Sequence, residues 1–227
     1  MNQGINTYNE KSLHVQLKDW YARPGDAFEV PVGRFIIDIV RDDLLIEIQT
    51  RNFSALKKKL NKLLEDHQVH LVYPVEQEKW LIKLDGKGKP QNRRKSPKRG
   101  TIEHVFQELV YVPQLMNHDN FSLEVILIQA EELRKHSKNR GWRRKGWMTE
   151  ERRLLNVVES RQFQNREELL SLIPDDIKSP FTTADLSDAL NRPRRLMQQM
   201  VYCLRAMEAI HMVGKQGNAI LYERGQG

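Results

Sequence analysis

The sequence predicts an α/β chain of the α+β kind, and three observations carry that expectation. Short apolar runs alternate with amphipathic stretches through the first half, the pattern turns helical from Thr149 onward, and a hairpin signal closes the chain. With 227 residues the chain is long enough for two small domains, each burying its own core. The expected division is 1–133, a basic linker over 134–148, and 149–227.

From 10 to 21 the apolar positions Leu13, Val15, Leu17, Trp20 and Tyr21 fit one face of a helix, which Arg23-Pro24-Gly25-Asp26 ends. A short strand over 27–32 and a turn at Gly33 follow. Apolar residues then dominate 35–40 and 44–48, and the polar Arg41-Asp42-Asp43 between them makes the two runs a hairpin of buried strands. Asn52 and Ser54 are cap candidates for a helix over 54–66, with Leu56, Leu60, Leu63 and Leu64 inward and Lys57, Lys58, Lys59 and Lys62 outward. Residues 69–74 read as a buried strand, 80–84 as an added one, 86–100 as a basic loop, 101–117 as helical and 121–129 as a further strand.

Beyond Thr149 the expected elements are two short helices over 150–159 and 166–172, the second broken by Pro174. Thr182 or Thr183 caps a helix through Leu190. Asn191-Arg192-Pro193 opens a longer one to about Ala209, proline being tolerated in a first turn. The runs 211–213 and 219–222 flank Gly214-Lys-Gln-Gly217, a hairpin signal. Helix, turn, helix and hairpin over 149–224 resemble a winged helix.

The net charge of +7 is unevenly spread. Residues 1–85 carry 12 Lys and Arg against 13 Asp and Glu, residues 86–150 carry 14 against 7, and residues 151–227 carry 11 against 10. The excess therefore sits in the middle, in the stretches 87–99 and 134–145, and runs of that kind attract polyanions such as nucleic acid. No apolar run approaches the ~20 residues needed to cross a membrane, and the N-terminus lacks a signal peptide's basic and apolar regions. A soluble, cytoplasmic protein without membrane partners is expected. Cys203 is the single cysteine and lies in an apolar helical stretch, so it is read as core. The seven histidines have no metal-ligand spacing, His67 and His70 included, and no phosphate-binding glycine loop is present, which excludes an ATP motor on this chain.

The candidate site lies on the acidic hairpin. A period of two puts Glu47 and Gln49 on one strand face, and Asp38 sits where it can face them across the turn. Burying two carboxylates without partners costs several kcal/mol, roughly, and a divalent cation offsets that, as cationic side chains such as Arg34 and Arg51 also would. Hard oxygen ligands favour Mg²⁺ or Mn²⁺.

With Asp38, Glu47 and Gln49 so placed, the order helix, three strands, helix, strand over 10–74 resembles the catalytic core of the PD-(D/E)XK nuclease superfamily. The stretches Ser12-Leu-His14 and 47–54 are similar to an uncharacterised bacterial family within it. The resemblance implies a restriction-endonuclease-like core in which Asp38 and Glu47 bind one or two Mg²⁺ or Mn²⁺ ions, with the Ile48 carbonyl as a further oxygen ligand and Glu10 as an acid from the first helix. Gln49 stands where the family has Lys, as it does in some active restriction enzymes, and Ile37 where it has Pro. Gln49 then orients the attacking water by a hydrogen bond, and Lys57 or Lys58 supplies positive charge.

The function expected on this basis is a metal-dependent DNA endonuclease delivered by the winged helix, with double-strand cleavage calling for a homodimer or for two successive events. The competing expectation is a non-catalytic DNA-binding protein that retains a nuclease fold. DNA contacts are expected from Arg93, Arg94, Lys95, Lys98 and Arg99, and from Arg143, Arg144 and Lys145, which Trp142 and Trp147 bracket. In the winged helix they are expected from Arg192, Arg194 and Arg195 at the start of the recognition helix and from Lys215 at the wing tip.

Overall fold

A computed structural model describes residues 7–137 and 146–225, with side chains from Leu13 onward. Helix α1 (Thr7–Tyr21) leads into strands β1 (Ala27–Val32), β2 (Phe35–Arg41) and β3 (Leu44–Ile48), then helix α2 (Phe53–Leu63) and strand β4 (Gln68–Leu84). The expected order of the first six elements is present. Strand β5 (Pro90–Lys95), a 3-10 turn (Ile102–Val105), the short α3 (Phe106–Leu109), a second 3-10 turn (Pro113–Asn117) and two long strands, β6 (Phe121–His136) and β7 (Trp147–Phe163), follow. The chain ends with α4 (Arg166–Leu170), α5 (Thr183–Leu190), α6 (Arg194–Ala206) and the hairpin β8 (Ile210–Gln216) and β9 (Ala219–Arg224).

The architecture is a mixed α/β one. Seven strands form one sheet in the order β1-β2-β3-β4-β6-β7, with β5 added on β4. The β3–β4 and β4–β6 pairs are parallel and the remaining pairs antiparallel. Alternation along the strands divides the apolar side chains between two faces. On one face Leu13 and Leu17 of α1 pack on Ile39, Ile46, Ile48, Val72, Ile126 and Ile128. On the other, Phe53, Leu60 and Leu63 of α2 share a continuous core with Leu45, Leu71, Val125 and, from α6, Leu196, Met197 and Met200. The two hairpin turns take the residues that their geometry needs: Gly33 at φ +58° and Asp42 at φ +50°, a conformation Asp tolerates.

Several expected elements come out differently. The helix expected over 150–159 is part of β7, which pairs antiparallel with β6 from Leu123↔Phe163 to His136↔Trp147. Val157 and Val158 favour a strand, and the long ladder offered by a 16-residue neighbour outweighs the helical spacing of Leu154, Leu155, Val157 and Val158. The start expected for the C-terminal unit, residue 149, thus lies inside a strand of the large sheet. The strands expected over 69–74 and 80–84 are one strand, since β6 pairs with β4 from Val69 to Lys83 and carries the polar stretch between them. The expected basic loop 86–100 contains β5, and the expected helix 101–117 is three short turns. Within the expected linker 134–148, Arg134, Lys135 and His136 end β6 and Trp147 begins β7.

The helix pair near the C-terminus follows its sequence signals. Thr182 caps α5 in a reciprocal box with Asp185, and Asn191 ends it in the left-handed conformation. Pro193 is the residue just before α6. In the last hairpin the strands run further than expected, with the turn after Gln216 and Gly214 inside β8 beside a register shift.

Candidate functional site

Asp38 and Glu47 come together where β2 and β3 part. Their ladder runs from Arg41↔Leu44 to Ile39↔Ile46 and stops there. Beyond it the Ile48 N–H, which a continued ladder would give to a carbonyl, donates instead to Asp38 Oδ2 at 2.9 Å. The other carboxylate oxygen of Asp38 lies 2.9 Å from His14 Nε2, presented by α1 from across the sheet. Burial opposes ionisation of Asp38, but the His14 hydrogen bond and charge and the Ile48 N–H outweigh it and hold the pKa below the usual carboxylate range.

Glu47 is 5% exposed and forms an ion pair with Lys59 of α2. Burial and the neighbouring charge of Asp38 push its pKa up to about 7, against the opposing pull of Lys59. Lys59 also donates to the Ile36 carbonyl at 2.6 Å, so its ammonium bridges β2 and β3 at their point of divergence. Lys57 and Lys58, the lysines expected to supply charge, point to solvent. A spacing argument finds Lys59, because it lies one position before the buried Leu60 and one turn before Leu63, on the edge of the inward face.

Gln49 does not face the carboxylates in the expected way. Its side-chain amide donates to the Arg51 carbonyl at 2.5 Å and to the Asn52 carbonyl at 3.4 Å, holding the turn that starts α2. Arg34, one of the cations considered for the carboxylates, stacks on Phe35 at 5.1 Å. Glu10 lies on α1, and its side chain falls outside the described ones. Of the expected cation ligands, Asp38 and Glu47 are the carboxylates brought together among the described side chains. Among the described residues no group of three or more His, Cys, Asp or Glu gathers in a metal-binding arrangement.

A cleft opens beside this point. Strand β3 pairs with β4 as far as Ile48↔Val72, and β5 takes over that edge of β4 only from Trp80. Of the expected contact residues, Lys98 and Arg99 line this cleft and the other described ones lie elsewhere. On β5, Arg93 pairs with Glu131 at 2.7 Å and lies over the Trp80 ring at 4.6 Å, while Lys95 pairs with Glu78 at 2.6 Å. Arg99 shares Glu78 at 2.6 Å, whereas Arg94 and Lys98 are exposed. At the start of α6, Arg194 and Arg195 are exposed. Arg192, expected to open that helix, lies in the turn before it, because Asn191 ends α5 and α6 begins at Arg194, and is drawn to Glu103 at 3.3 Å. Lys215 is exposed on β8, before the turn. Arg143, Arg144, Lys145 and Trp142 lie outside the described residues. Trp147 anchors β7, edge-on to His136 at 5.3 Å with Lys83 over its face at 4.5 Å.

His70, read from sequence as ordinary, belongs to a second buried polar centre. Its ring nitrogens lie 2.7 Å from Ser122 Oγ and 2.9 Å from Glu124 Oε2, and the Tyr21 hydroxyl donates to the same Glu124 oxygen at 2.6 Å.

The family described as Domain of unknown function (DUF8091) matches residues 11–164, which run from α1 to the end of β7. An uncharacterized protein of Treponema pallidum (strain Nichols) is 34% identical over 176 residues, covering 75% of this chain and 70% of the relative. No solved structure gives a significant match. Among the described residues no helix is long and apolar enough to cross a membrane. The chain belongs to the DUF8091 family.

Proposed function

We propose that this member of the DUF8091 family is a Mg²⁺- or Mn²⁺-dependent DNA endonuclease with a PD-(D/E)XK-like core, and that α5, α6 and the β8–β9 hairpin act as a winged helix that holds the DNA. One observation carries the reading: the buried Glu47 carboxylate, the partly buried Asp38 carboxylate and a lysine converge where β2 and β3 diverge, within the element order α1-β1-β2-β3-α2-β4. The donor chemistry fits a hard divalent ion. Glu47 is kept near half-protonation at neutral pH by burial beside Asp38, a cost that a cation between two carboxylates removes.

When bound, such an ion supplies an activated water and stabilises charge at the scissile phosphate. The chain's own groups divide the remaining work. Asp38, fixed by the Ile48 N–H and His14, and Glu47 bind the ion, with the Ile48 carbonyl as a further donor. Lys59 brings the positive charge that the resembled family places two residues after the Glu, where this chain has Gln49. Its ammonium is positioned to hold the attacking water or to neutralise charge on the phosphate. Gln49 orients the turn rather than the water.

The alternative, a non-catalytic DNA-binding protein, draws on a specific observation: each of the two carboxylates already has a side-chain partner, His14 for Asp38 and Lys59 for Glu47. Nicking of a supercoiled plasmid by the purified chain in Mg²⁺ or Mn²⁺, compared with EDTA, separates the two. Metal-dependent nicking that Asp38→Ala and Glu47→Ala abolish is the expected result. DNA binding without nicking under any of these conditions overturns the catalytic reading in favour of the alternative.

A further inference from the structure

Two cavities share one wall. The first, about 330 Å³, occupies the cleft on the open edge of β4; its wall includes Leu13 and Thr50, the chain neighbours of His14 and Gln49, together with Gly100, His104 and Gln107, while Asp38 and Glu47 themselves lie outside that wall. The second, about 350 Å³, starts from the same His104 and Gln107 and ends at Pro193, Arg195 and Gln199 on the first turns of α6. Gly100 fixes the depth of the first cavity. A Cβ there would lie 2.5 Å from Val75 Cγ1 and 2.6 Å from the Glu76 carbonyl, so only glycine brings the loop after β5 this close to β4.

His104 at the junction has a determined tautomer. The Thr101 N–H donates to its Nδ1 at 3.1 Å as part of a capping box, so Nδ1 is an acceptor and the ring proton sits on Nε2. Nε2 has no partner among the described residues, and neither does the Gln107 amide. Burial lowers the His104 pKa, which keeps the ring a neutral donor at physiological pH. Lys98 in the first cavity and Arg195 in the second are cations without an acidic partner among the described residues. The first cavity also carries Lys79, Arg99 and Arg152 against one carboxylate, Glu76, which Lys79 pairs, so its wall is positive overall, and the two neutral hydrogen-bonding groups are shared with the second. Cavities of this size hold a unit comparable to one small ligand each, which suits a single strand rather than a duplex.

We propose that one nucleic-acid strand runs along this groove from the Asp38–Glu47 centre to the start of α6, its phosphates near Lys98 and Arg195 and its middle held by the His104 Nε2–H and the Gln107 amide. The proposal rests on the nuclease reading, because it assigns the path by which the cut strand reaches the carboxylates. His104 and Gln107 are positioning residues in this scheme and touch no reacting atom.

The test is fluorescence anisotropy of a labelled single-stranded oligonucleotide and a labelled duplex with the full chain in EDTA, where cutting is absent. His104→Asn keeps an acceptor at the place of Nδ1 and removes the Nε2–H; Gln107→Ala removes the amide. The double variant should bind the single strand about tenfold more weakly, two neutral hydrogen bonds being lost. The salt dependence of that binding should stay unchanged, whereas Lys98→Ala and Arg195→Ala should each flatten the slope of log K against log salt by about 0.7. Thermal melting of each variant checks folding. Gln107, exposed and without internal partners, gives a readout that does not depend on the cap.

Parent-like single-strand binding by Gln107→Ala and by a folded His104→Asn overturns the groove and leaves the nuclease reading standing. Absence of any nucleic-acid binding by the parent at low salt overturns the nuclease reading and the groove together. Where only the groove variants bind like the parent, plasmid nicking in Mn²⁺ by the parent shows that the groove alone has failed.

Discussion

Two glutamates on nearby strands of one sheet, Glu47 on β3 and Glu124 on β6, are buried to the same extent and held in opposite ways. Glu124 accepts hydrogen bonds from the Tyr21 hydroxyl at 2.6 Å, the Ser160 hydroxyl and the Gln162 amide at 3.4 Å, and meets the His70 ring at 2.9 Å. Burial works against its charge, yet these partners bring its pKa down to about 2. Glu132, with Arg134 at 2.8 Å, Thr149 at 2.6 Å and Lys79 at 3.1 Å, is likewise brought to about 2. Glu47 has Lys59 for and Asp38 against it, and its pKa rises to about 7. A carboxylate surrounded by donors is a finished structural element. One left beside another carboxylate with too little compensation is where an added cation has something to gain, and such groups concentrate at functional sites.

The comparison is broken or sharpened most strongly by activity. Asp38→Ala, Glu47→Ala and Lys59→Met should each lower metal-dependent plasmid nicking by about 10³-fold or more, the scale of a lost metal ligand or charge stabiliser. Glu124→Gln should nick at close to the parental rate. A large loss in Glu124→Gln at temperatures where it stays folded would erase the distinction between the two centres.

Stability should respond the other way. Glu124→Ala leaves the Tyr21 hydroxyl and His70 buried without their acceptor and should cost about 3 kcal/mol in urea melts. Glu47→Gln should be neutral or gain about 1 kcal/mol above pH 7, because it removes an under-compensated buried charge.

The pH dependence carries the opposite signs. With a folded pKa of about 2 against an ordinary 4.5, Glu124 contributes stability that is fully present above about pH 4.5 and is lost as pH falls toward 2. With a folded pKa of about 7 against 4.5, Glu47 makes the fold less stable as pH rises from about 4.5 through 7. Urea melts across this range should show the deficit of Glu124→Gln shrinking on acidification and the gain of Glu47→Gln growing between pH 5 and 8. A pH-independent difference in either variant contradicts the assigned pKa.

The smallest effect belongs to Gln49. Its amide serves the Arg51–Asn52 turn, so Gln49→Ala should cost about 1 kcal/mol or less in thermal melts and leave the nicking rate near parental. A large drop in nicking at unchanged stability would return Gln49 to the water-orienting role expected from sequence.

Much of the first half was legible because its signals are local. The apolar runs of β2 and β3, the polar turn at Asp42 and the leucine spacing of α2 each specify their element within a few residues, and Thr182 and Asn191 mark the ends of α5 by capping chemistry. Asp38 and Glu47 were legible as candidates for the same reason: acidic residues inside apolar strands stand out. The misread parts are those whose conformation depends on a distant partner. Residues 150–159 carry Leu154, Leu155, Val157 and Val158 at helical spacing, and only the ladder to β6 makes them a strand. The polar stretch 75–79 has no apolar pattern of its own and is held straight by the same neighbour.

The sequence by itself determined the mixed α/β class, the order of the first six elements, the helix pair with its hairpin, and a pair of carboxylates on the acidic hairpin. Tertiary structure decided the rest, which is where the chemistry is set. It chose Lys59 over Lys57, Lys58 and Gln49, because α2 packs through Leu60 and Leu63 and so turns the edge of that face toward Glu47. It separated Glu47 from Glu124, since a pKa depends on which donors and charges converge through space, and residues as far apart in the chain as Tyr21, His70 and Ser160 meet only in the folded sheet.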